Sequence, residues 1–425
     1  MKVLVLGSGG REHALVWKLS KSPRVEQLFC APGNPGIARL ATLLPMKADD
    51  QSGLLAFVER EGIDLTVVGP EQPLADGIVD RFRSHQKLIF GPTRAAAELE
   101  WSKAFAKAFL ARHRIPTAVH RTFARSESVA ARAYLDRCTL PVVLKADGLA
   151  AGKGVLICGT LDEAYAGLRD MTEAMVFGEA GSRVVIEEYM TGQEASVFAV
   201  ADGKNFVTLA PAQDHKRAYD GDRGKNTGGM GAYAPAPIIT PGILHRVEEE
   251  IIRPTLRGMA GEGRPYTGCL YVGLMLTPQG PKVVEYNARF GDPETQVILP
   301  LYEGDFAELL LAACDGRIAS LAPVVPGFGS AVCVVLASGG YPDAYRTGQA
   351  IRGIDAAEAT PGVVVFHAGT KLEADRLVTA GGRVLGVTAV YGASLRETIS
   401  QAYAAAERIQ FDGMHYRRDV GHKAL

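Results

Sequence analysis

Short apolar runs in the first hundred residues stop, one after another, at glycine. Val3–Leu6 runs into GSGG, Leu28–Cys30 into APGNPG, Leu65–Val68 into GPEQPLADG and Leu88–Phe90 into GPT, with a helical stretch at Glu12–Ser20 after the first. A chain that alternates strand and helix in this way has few topologies open to it, because parallel neighbours need a crossover between them. The rhythm predicts an open, mostly parallel α/β sheet with ligand-binding loops at the carboxyl ends of its strands.

Beyond it the pattern changes. A helix starts near Ser102, whose hydroxyl is placed to cap it, with Phe105, Phe109 and Leu110 on its apolar face. Closely spaced β-runs follow at Val142–Lys145, Val155–Cys158, Val184–Tyr189, Ser196–Val200 and Phe206–Leu209, which reads as α+β with hairpins. A charged, Gly-rich loop covers 214–231, and a strand runs Lys282–Phe290. After LAPVVPGFG (321–329), strands near 331–337, 363–367 and 384–391 precede a helix with a capping box at Ser394 and Glu397. That last region shows no catalytic cluster and reads as a packing domain. At ~150 residues per domain, 425 residues suggest three. The divisions expected are 1–102, 103–325 and 326–425.

Composition narrows the partners. The 46 basic and 47 acidic residues nearly cancel, which argues against a dedicated nucleic-acid binder but leaves room for a local basic pocket. No apolar run approaches the ~18 residues of a membrane span, and MKVLVLGSGG is too short for a signal-peptide core. The six cysteines form no CxxC pair and read as small buried hydrophobes in a reducing cytoplasm. The expectation is a cytoplasmic protein, working as a monomer or alternatively a dimer, on small molecules and with no nucleic-acid or membrane partner.

Five motifs carry chemistry. In GSGGREH (7–13), backbone N–H groups at a helix start suit a phosphate, with a simple tight turn as the plain alternative. A dinucleotide fits poorly: Glu12 stands where a GxGxxG pattern needs its third glycine, and Pro32-Gly33-Asn34 offers no acid to a ribose diol. Lys145 leads into ADGLAAGKGV, where Gly148, Gly152 and Gly154 with Lys153 make a flexible loop able to close over a triphosphate. It is not a Walker A loop, since Gly154 replaces the metal-binding hydroxyl; a ligand-free hairpin is the alternative. VVIEEYMTGQEASV (184–197) places Glu187, Glu188 and Tyr189 to offer backbone groups to an adenine and Glu194 to meet ribose hydroxyls, unless it is an ordinary hairpin with acidic turn residues. QDHKRAYDGDRGKNTGGMGAY (213–233) crowds Asp214, Lys216, Arg217 and Arg223 into a loop suited to a substrate lid or simply to solvent; His215 reads as loop structure. In KVVEYNARFGDPETQ (282–296), strand alternation puts Glu285, Asn287 and Arg289 on one face and Val284, Tyr286, Ala288 and Phe290 on the other. Glu285 and Asn287 are hard oxygen donors suited to a divalent cation, and Arg289 beside them suits a carboxylate or phosphoryl group.

Together VLGSGGREHAL, KADGLAAGKGV, NTGGMGAY and above all RFGDPETQ (289–296) resemble the glycinamide ribonucleotide synthetases, also called phosphoribosylamine–glycine ligases, over the whole chain. That resemblance implies an N-terminal Rossmann-like domain, a two-lobed ATP-grasp core and a small C-terminal α+β domain. It implies ATP-dependent joining of glycine to 5-phosphoribosylamine in purine biosynthesis, with Mg²⁺ or Mn²⁺. By the same resemblance Lys103 and Lys145 meet the nucleotide phosphates, with Gly148, Gly152, Lys153 and Gly154 over them. Glu187 and Tyr189 meet the adenine and Glu194 the ribose, while Glu285 and Asn287 hold the metal. Gly9, Gly10 and Arg11 lie where phosphoribosylamine is expected. Asp214, Lys216, Arg289, Gly291 and Asp292 lie near glycine and its acyl phosphate, with Lys145 and Arg289 as the catalytic pair. Tyr271–Leu276 lacks the extra acidic ligand of many ATP-grasp enzymes. The alternatives are another ATP-grasp ligase, against which RFGDPE speaks, and a nucleotide-binding regulator without turnover, which needs neither Arg289 nor a charged lid.

Overall fold

The computed structural model describes residues 1–148, 154–172, 182–322, 327, 329–392 and 394–425. Its first five strands form a parallel sheet in the order Thr42–Leu43, Gln27–Pro32, Lys2–Gly7, Leu65–Val68, Ile89–Phe90. Val3, Leu4, Val5 and Leu6 are all fully buried, as a parallel strand covered on both faces requires. The strand order reverses beside Lys2–Gly7, so the loops leaving Gly7 and Val68 diverge there and open a crevice. Helix Gly10–Leu19 starts in that crevice, and the Glu12 carboxylate reaches back 2.6 Å to accept from the Gly9 N–H. Glu12 is thus committed to the turn, which is why a glycine is not needed at that position. A Cβ on Gly7 or Gly69 would lie 2.4 or 2.2 Å from the Glu12 side chain.

Helix Lys103–Arg112 is capped by Ser102, whose hydroxyl accepts from the Phe105 N–H at 3.1 Å, as expected. It leads into two antiparallel four-stranded sheets. One has the order His120–Ala124, Arg183–Glu188, Val142–Ala146, Val155–Cys158; the other Phe206–Thr208, Gln193–Asp202, Thr267–Thr277, Gly280–Asn287. Arg183–Glu188 and Gln193–Asp202 therefore do not form the hairpin that their spacing allowed; the chain between them crosses from one sheet to the other.

A second and larger departure lies at 213–234. The stretch read as a loop forms strand Gln213–Asp214, a hairpin of Arg217–Tyr219 with Arg223–Asn226, and strand Gly231–Ala234. Gly231–Ala234 pairs with Ser330–Ala337, giving a sheet in the order Gln213–Asp214, Gly231–Ala234, Ser330–Ala337, Arg383–Tyr391, Val363–His367. That sheet draws strands from both sides of position 325. The hairpin is clasped by the segment 415–423. Fully buried Arg417 binds Asp419 through two hydrogen bonds of 2.7 Å and Asp222 through one of 2.9 Å. The His415 ring donates to the Ala218 carbonyl at 2.8 Å, and the Gly421 N–H donates to His215 Nε2 at 3.0 Å. His215 is structural, as expected, and burial beside Arg417 pushes it down to about 3.

The N- and C-terminal sheets meet through two more buried histidines. His13 Nδ1 accepts from the His367 N–H at 2.8 Å, and Asn34 Nδ2 donates to the Ser8 and His367 carbonyls at 2.8 and 2.9 Å. Trp17 packs edge-on against Phe366 nearby. Cys30, Cys158, Cys269 and Cys333 are buried, Cys138 and Cys314 partly so, and all six are free. No helix among the described residues is long and apolar enough to cross a membrane.

Candidate active site

One cavity of about 710 Å³ opens between the two antiparallel sheets and reaches the crevice of the parallel one. Lys103 and Lys107, one helical turn apart, enter from helix Lys103–Arg112. Lys145 and Glu187 enter from adjacent strands; Lys145 pairs with Val185 and Val143 with Glu187, so the two side chains are diagonal neighbours on one face. Glu187 Oε2 lies 3.0 Å from Lys145 Nζ and 3.2 Å from Lys107 Nζ. Burial would raise the Glu187 carboxyl, but Lys145 and Lys107 hold it below the usual range. Burial in turn pulls Lys107 down to about 8. Glu187 Oε1 is buried with no partner among the described residues, an acceptor left for a ligand. Lys103 Nζ donates to the Gly148 carbonyl at 3.0 Å.

The strand Gly280–Asn287 carries a bulge. Glu285 pairs with Gly273 and Val283 with Leu274, which leaves Val284 as the extra residue. From Glu285 onward the expected alternation holds: Tyr286, Ala288 and Phe290 are buried, while Glu285, Asn287 and Arg289 line the cavity. Upstream the parity flips. Val283 is fully buried and Val284, expected on the core face, lines the cavity, its carbonyl accepting from Lys145 at 3.1 Å. Burial would raise the Glu285 carboxyl, yet Lys216, Lys145, Lys103 and Arg289 hold it below its ordinary value, hence ionised. Neither the Glu285 carboxylate nor the Asn287 amide has a hydrogen-bond or ion-pair partner among the described residues, so both hard oxygen donors are available to a divalent cation.

Arg289 is anchored rather than free. It lies 3.1 Å from Glu100 and 3.2 Å from Glu71, and donates to the Phe290 carbonyl at 3.3 Å. Those contacts use three of about five guanidinium N–H groups, leaving two for a ligand. Glu71 stands at the crevice between Arg289 and Arg11, which lies 3.9 Å away and donates to Glu12 at 2.6 Å. Burial would raise the Glu71 carboxyl, but Arg289 and Arg11 bring it down to about 2. Lys216 pairs with Glu194 at 2.6 Å. Beside them burial pushes the Asp214 carboxyl up to about 7, with Lys216 opposing and Glu294 and Glu194 adding to the rise. Glu294 accepts from the Tyr271 hydroxyl at 3.0 Å and also lines the cavity.

Of the residues expected in a site, Arg11, Lys103, Lys145, Gly154, Glu187, Tyr189, Glu194, Asp214, Lys216, Glu285, Asn287, Arg289 and Asp292 all face this cavity. Gly9, Gly10, Gly148 and Gly291 lie beside it without lining it; a Cβ on buried Gly10 would meet Gln296 Nε2 at 2.6 Å. Gly152 and Lys153 lie outside the described residues. Glu71, Glu100, Lys107 and Glu294 were not foreseen, although Glu71 follows a strand neighbouring Lys2–Gly7 and was open to discovery there. Nor were Tyr341 and Arg383, which correct the reading of the C-terminal region as packing alone.

Two antiparallel sheets enclosing a cavity with lysines on one side and an acid–amide pair on the other define an ATP-grasp fold. Solved structures agree: a biotin carboxylase from Campylobacter jejuni superimposes with a TM-score of 0.74 at 15% identity, over 98% of this chain and 92% of its own. The sequence matches the phosphoribosylglycinamide synthetase N domain at 1–100, ATP-grasp (A) domain at 101–295 and C domain at 331–423, and the chain belongs to that family. The phosphoribosylamine–glycine ligase of Chlorobaculum tepidum is 52% identical over 429 residues, the full length of both. That of Salmonella typhimurium is 51% identical, over 100% of this chain and 99% of its own. The crystal structure of the Thermotoga maritima phosphoribosylamine–glycine ligase superimposes with a TM-score of 0.85 at 37% identity, covering 99% of this chain and 100% of that one.

Proposed function

We infer that this chain joins glycine to 5-phosphoribosylamine at the expense of ATP, giving glycinamide ribonucleotide, ADP and phosphate for purine biosynthesis. Full-length likeness to phosphoribosylamine–glycine ligases carries the choice of substrates. The single cavity that joins the nucleotide lysines to the Arg11, Arg289 and Asp292 cluster supports it.

We propose a route through glycyl phosphate. A carboxylate is a poor electrophile, because an attacking amine would have to expel oxide. A glycine carboxylate oxygen instead attacks the γ-phosphorus and ADP leaves. The phosphoribosylamine nitrogen then attacks the carbonyl carbon, phosphate leaves and the nitrogen gives up a proton. Lys103 and Lys145 neutralise the nucleotide phosphates. Arg289, held by Glu71 and Glu100, orients the carboxylate with its remaining donors. A divalent cation, Mg²⁺ or Mn²⁺, held by Glu285 and Asn287 would supply charge neutralisation on the phosphates. The test is isotopic. Glycine labelled with ¹⁸O in its carboxylate is expected to pass one label into the released phosphate. Unlabelled phosphate alongside normal product formation would remove the acyl phosphate and with it the role of Arg289.

A further inference from the structure

Arg383, the first residue of strand Arg383–Tyr391, brings the C-terminal segment to the cavity wall. Its Nη2 lies 3.0 Å from Asp292 Oδ2, and its Nη1 donates to the Asp292 carbonyl at 2.8 Å and to the Gly228 and Gly229 carbonyls. The other Asp292 oxygen accepts from Gln296 Nε2 at 2.8 Å. Gly228 N–H donates to the Tyr341 hydroxyl at 3.1 Å. The turn and the carboxylate are pressed together: a Cβ on Gly229 would lie 2.4 Å from Pro293 Cδ, and one on Gly228 2.9 Å from Arg383 Cζ. Asp292, Thr227 and Gly228 all face the cavity. Burial would raise the Asp292 carboxyl, and Arg383, Arg11 and Arg289 keep it below its ordinary range.

We propose that Arg383 is a positioning residue for the amine acceptor, acting through the Asp292 carboxylate and the Thr227–Gly229 turn. This rests on the reading that the acceptor is phosphoribosylamine, whose amine and ribose hydroxyls are hydrogen-bond donors. An ionised carboxylate anchored at both oxygens offers such donors an acceptor at a fixed place. Arg383 spends its terminal nitrogens on protein groups, so its influence on the ligand passes through what it holds.

The experiment compares Arg383→Met, Arg383→Lys, Asp292→Asn and the double variant Arg383→Met with Asp292→Asn. For each, kcat and KM are measured against ATP, glycine and phosphoribosylamine, with the pH profile of kcat/KM for the acceptor. Arg383→Met should lower kcat/KM for phosphoribosylamine roughly 30-fold or more while the KM values of ATP and glycine stay within about threefold. Its acid limb should move to higher pH, because Asp292 has lost its nearest cation. Arg383→Lys should recover part of the loss, and the loss in the double variant should fall short of the product of the two single losses, because the two residues share one route. Equal losses for all three substrates, an unmoved acid limb or additive losses in the double variant would overturn the proposal; additivity would mean that Arg383 touches the acceptor itself. If Arg383→Met does not fold, Arg383→Lys decides by the same substrate split. Wild-type protein that is folded and binds ATP but forms no product would instead refute the proposed function.

Discussion

Acid should weaken the joint between the N- and C-terminal sheets, and His13 gives the size of the effect. Its ring is 5% exposed, and burial, His367 and Arg39 bring it from 6.5 to about 3. Protonating Nδ1 also removes the acceptor of the His367 N–H. The folded value lies below the unfolded one, so the unfolded chain takes up a proton that the native chain refuses. The stabilisation is whole above 6.5 and drains away as pH falls toward about 3. At about pH 5.5, one unit below the unfolded value, the loss from this residue comes to about 1.4 kcal/mol. His215 and His367, lowered to about 3 and about 4 by burial, lose stability in the same direction, so the residue's own share is read from a difference. Trp17 lies 5.8 Å from Phe366 at this joint, and in a Trp101→Phe background it is the only tryptophan reporting. Urea unfolding followed by its fluorescence at about pH 7.5 and about pH 5.5 should show the parent losing about 1.4 kcal/mol more than His13→Gln. Equal acid losses in parent and variant would refute the assignment of His13 as a proton-refusing contact.

Two further outcomes follow from the cavity wall. Glu285→Ala should cut turnover roughly 100-fold or more while shifting the melting temperature by only a few degrees, since among the described residues the carboxylate makes no direct hydrogen bond or ion pair to lose; wild-type turnover at limiting Mg²⁺ would count against it. Gly10→Ala should destabilise by about 1–3 kcal/mol in thermal unfolding, because the new methyl displaces Gln296, and should raise the acceptor KM because Gln296 holds Asp292. An unchanged melting temperature and KM would show that Gln296 moves aside freely.

Four strands of the parallel sheet were legible because each was an apolar run closed by its own turn, so local pattern and tertiary environment agreed; the edge strand Thr42–Leu43, two residues long and not buried, carried no such signal. Glu285, Asn287 and Arg289 were legible for a similar reason: the two-residue period survives from Glu285 onward. It fails at Val284 because a bulge adds one residue to one strand, and no local property of VVEY signals that insertion. The 213–233 stretch looked like a loop because what holds it comes from far along the chain: Gly231–Ala234 pairs with Ser330–Ala337, and the hairpin is fastened by hydrogen bonds to 415–423. Arg383 was hidden for the same reason. In AGGRVLGV it is an ordinary polar strand start, and only the sheet brings it to Asp292, 91 residues away.

The clasp of 415–423 on the hairpin leaves the last support of the site to the last part of the chain to be made. Chains emerge amino end first and tend to fold as their segments become available. Lys103, Lys145, Glu285 and Asn287 have all left the ribosome well before Arg383 and Arg417 are made. The side of the cleft that carries these four residues can therefore take shape on a nascent chain while the hairpin and its Gly228–Gly229 turn, the proposed acceptor wall, still lack their anchors. Chains stopped between residues 322 and 383 are expected to keep a nucleotide pocket that cannot be productively used, a built-in order in which energy-donor recognition precedes the ability to commit it.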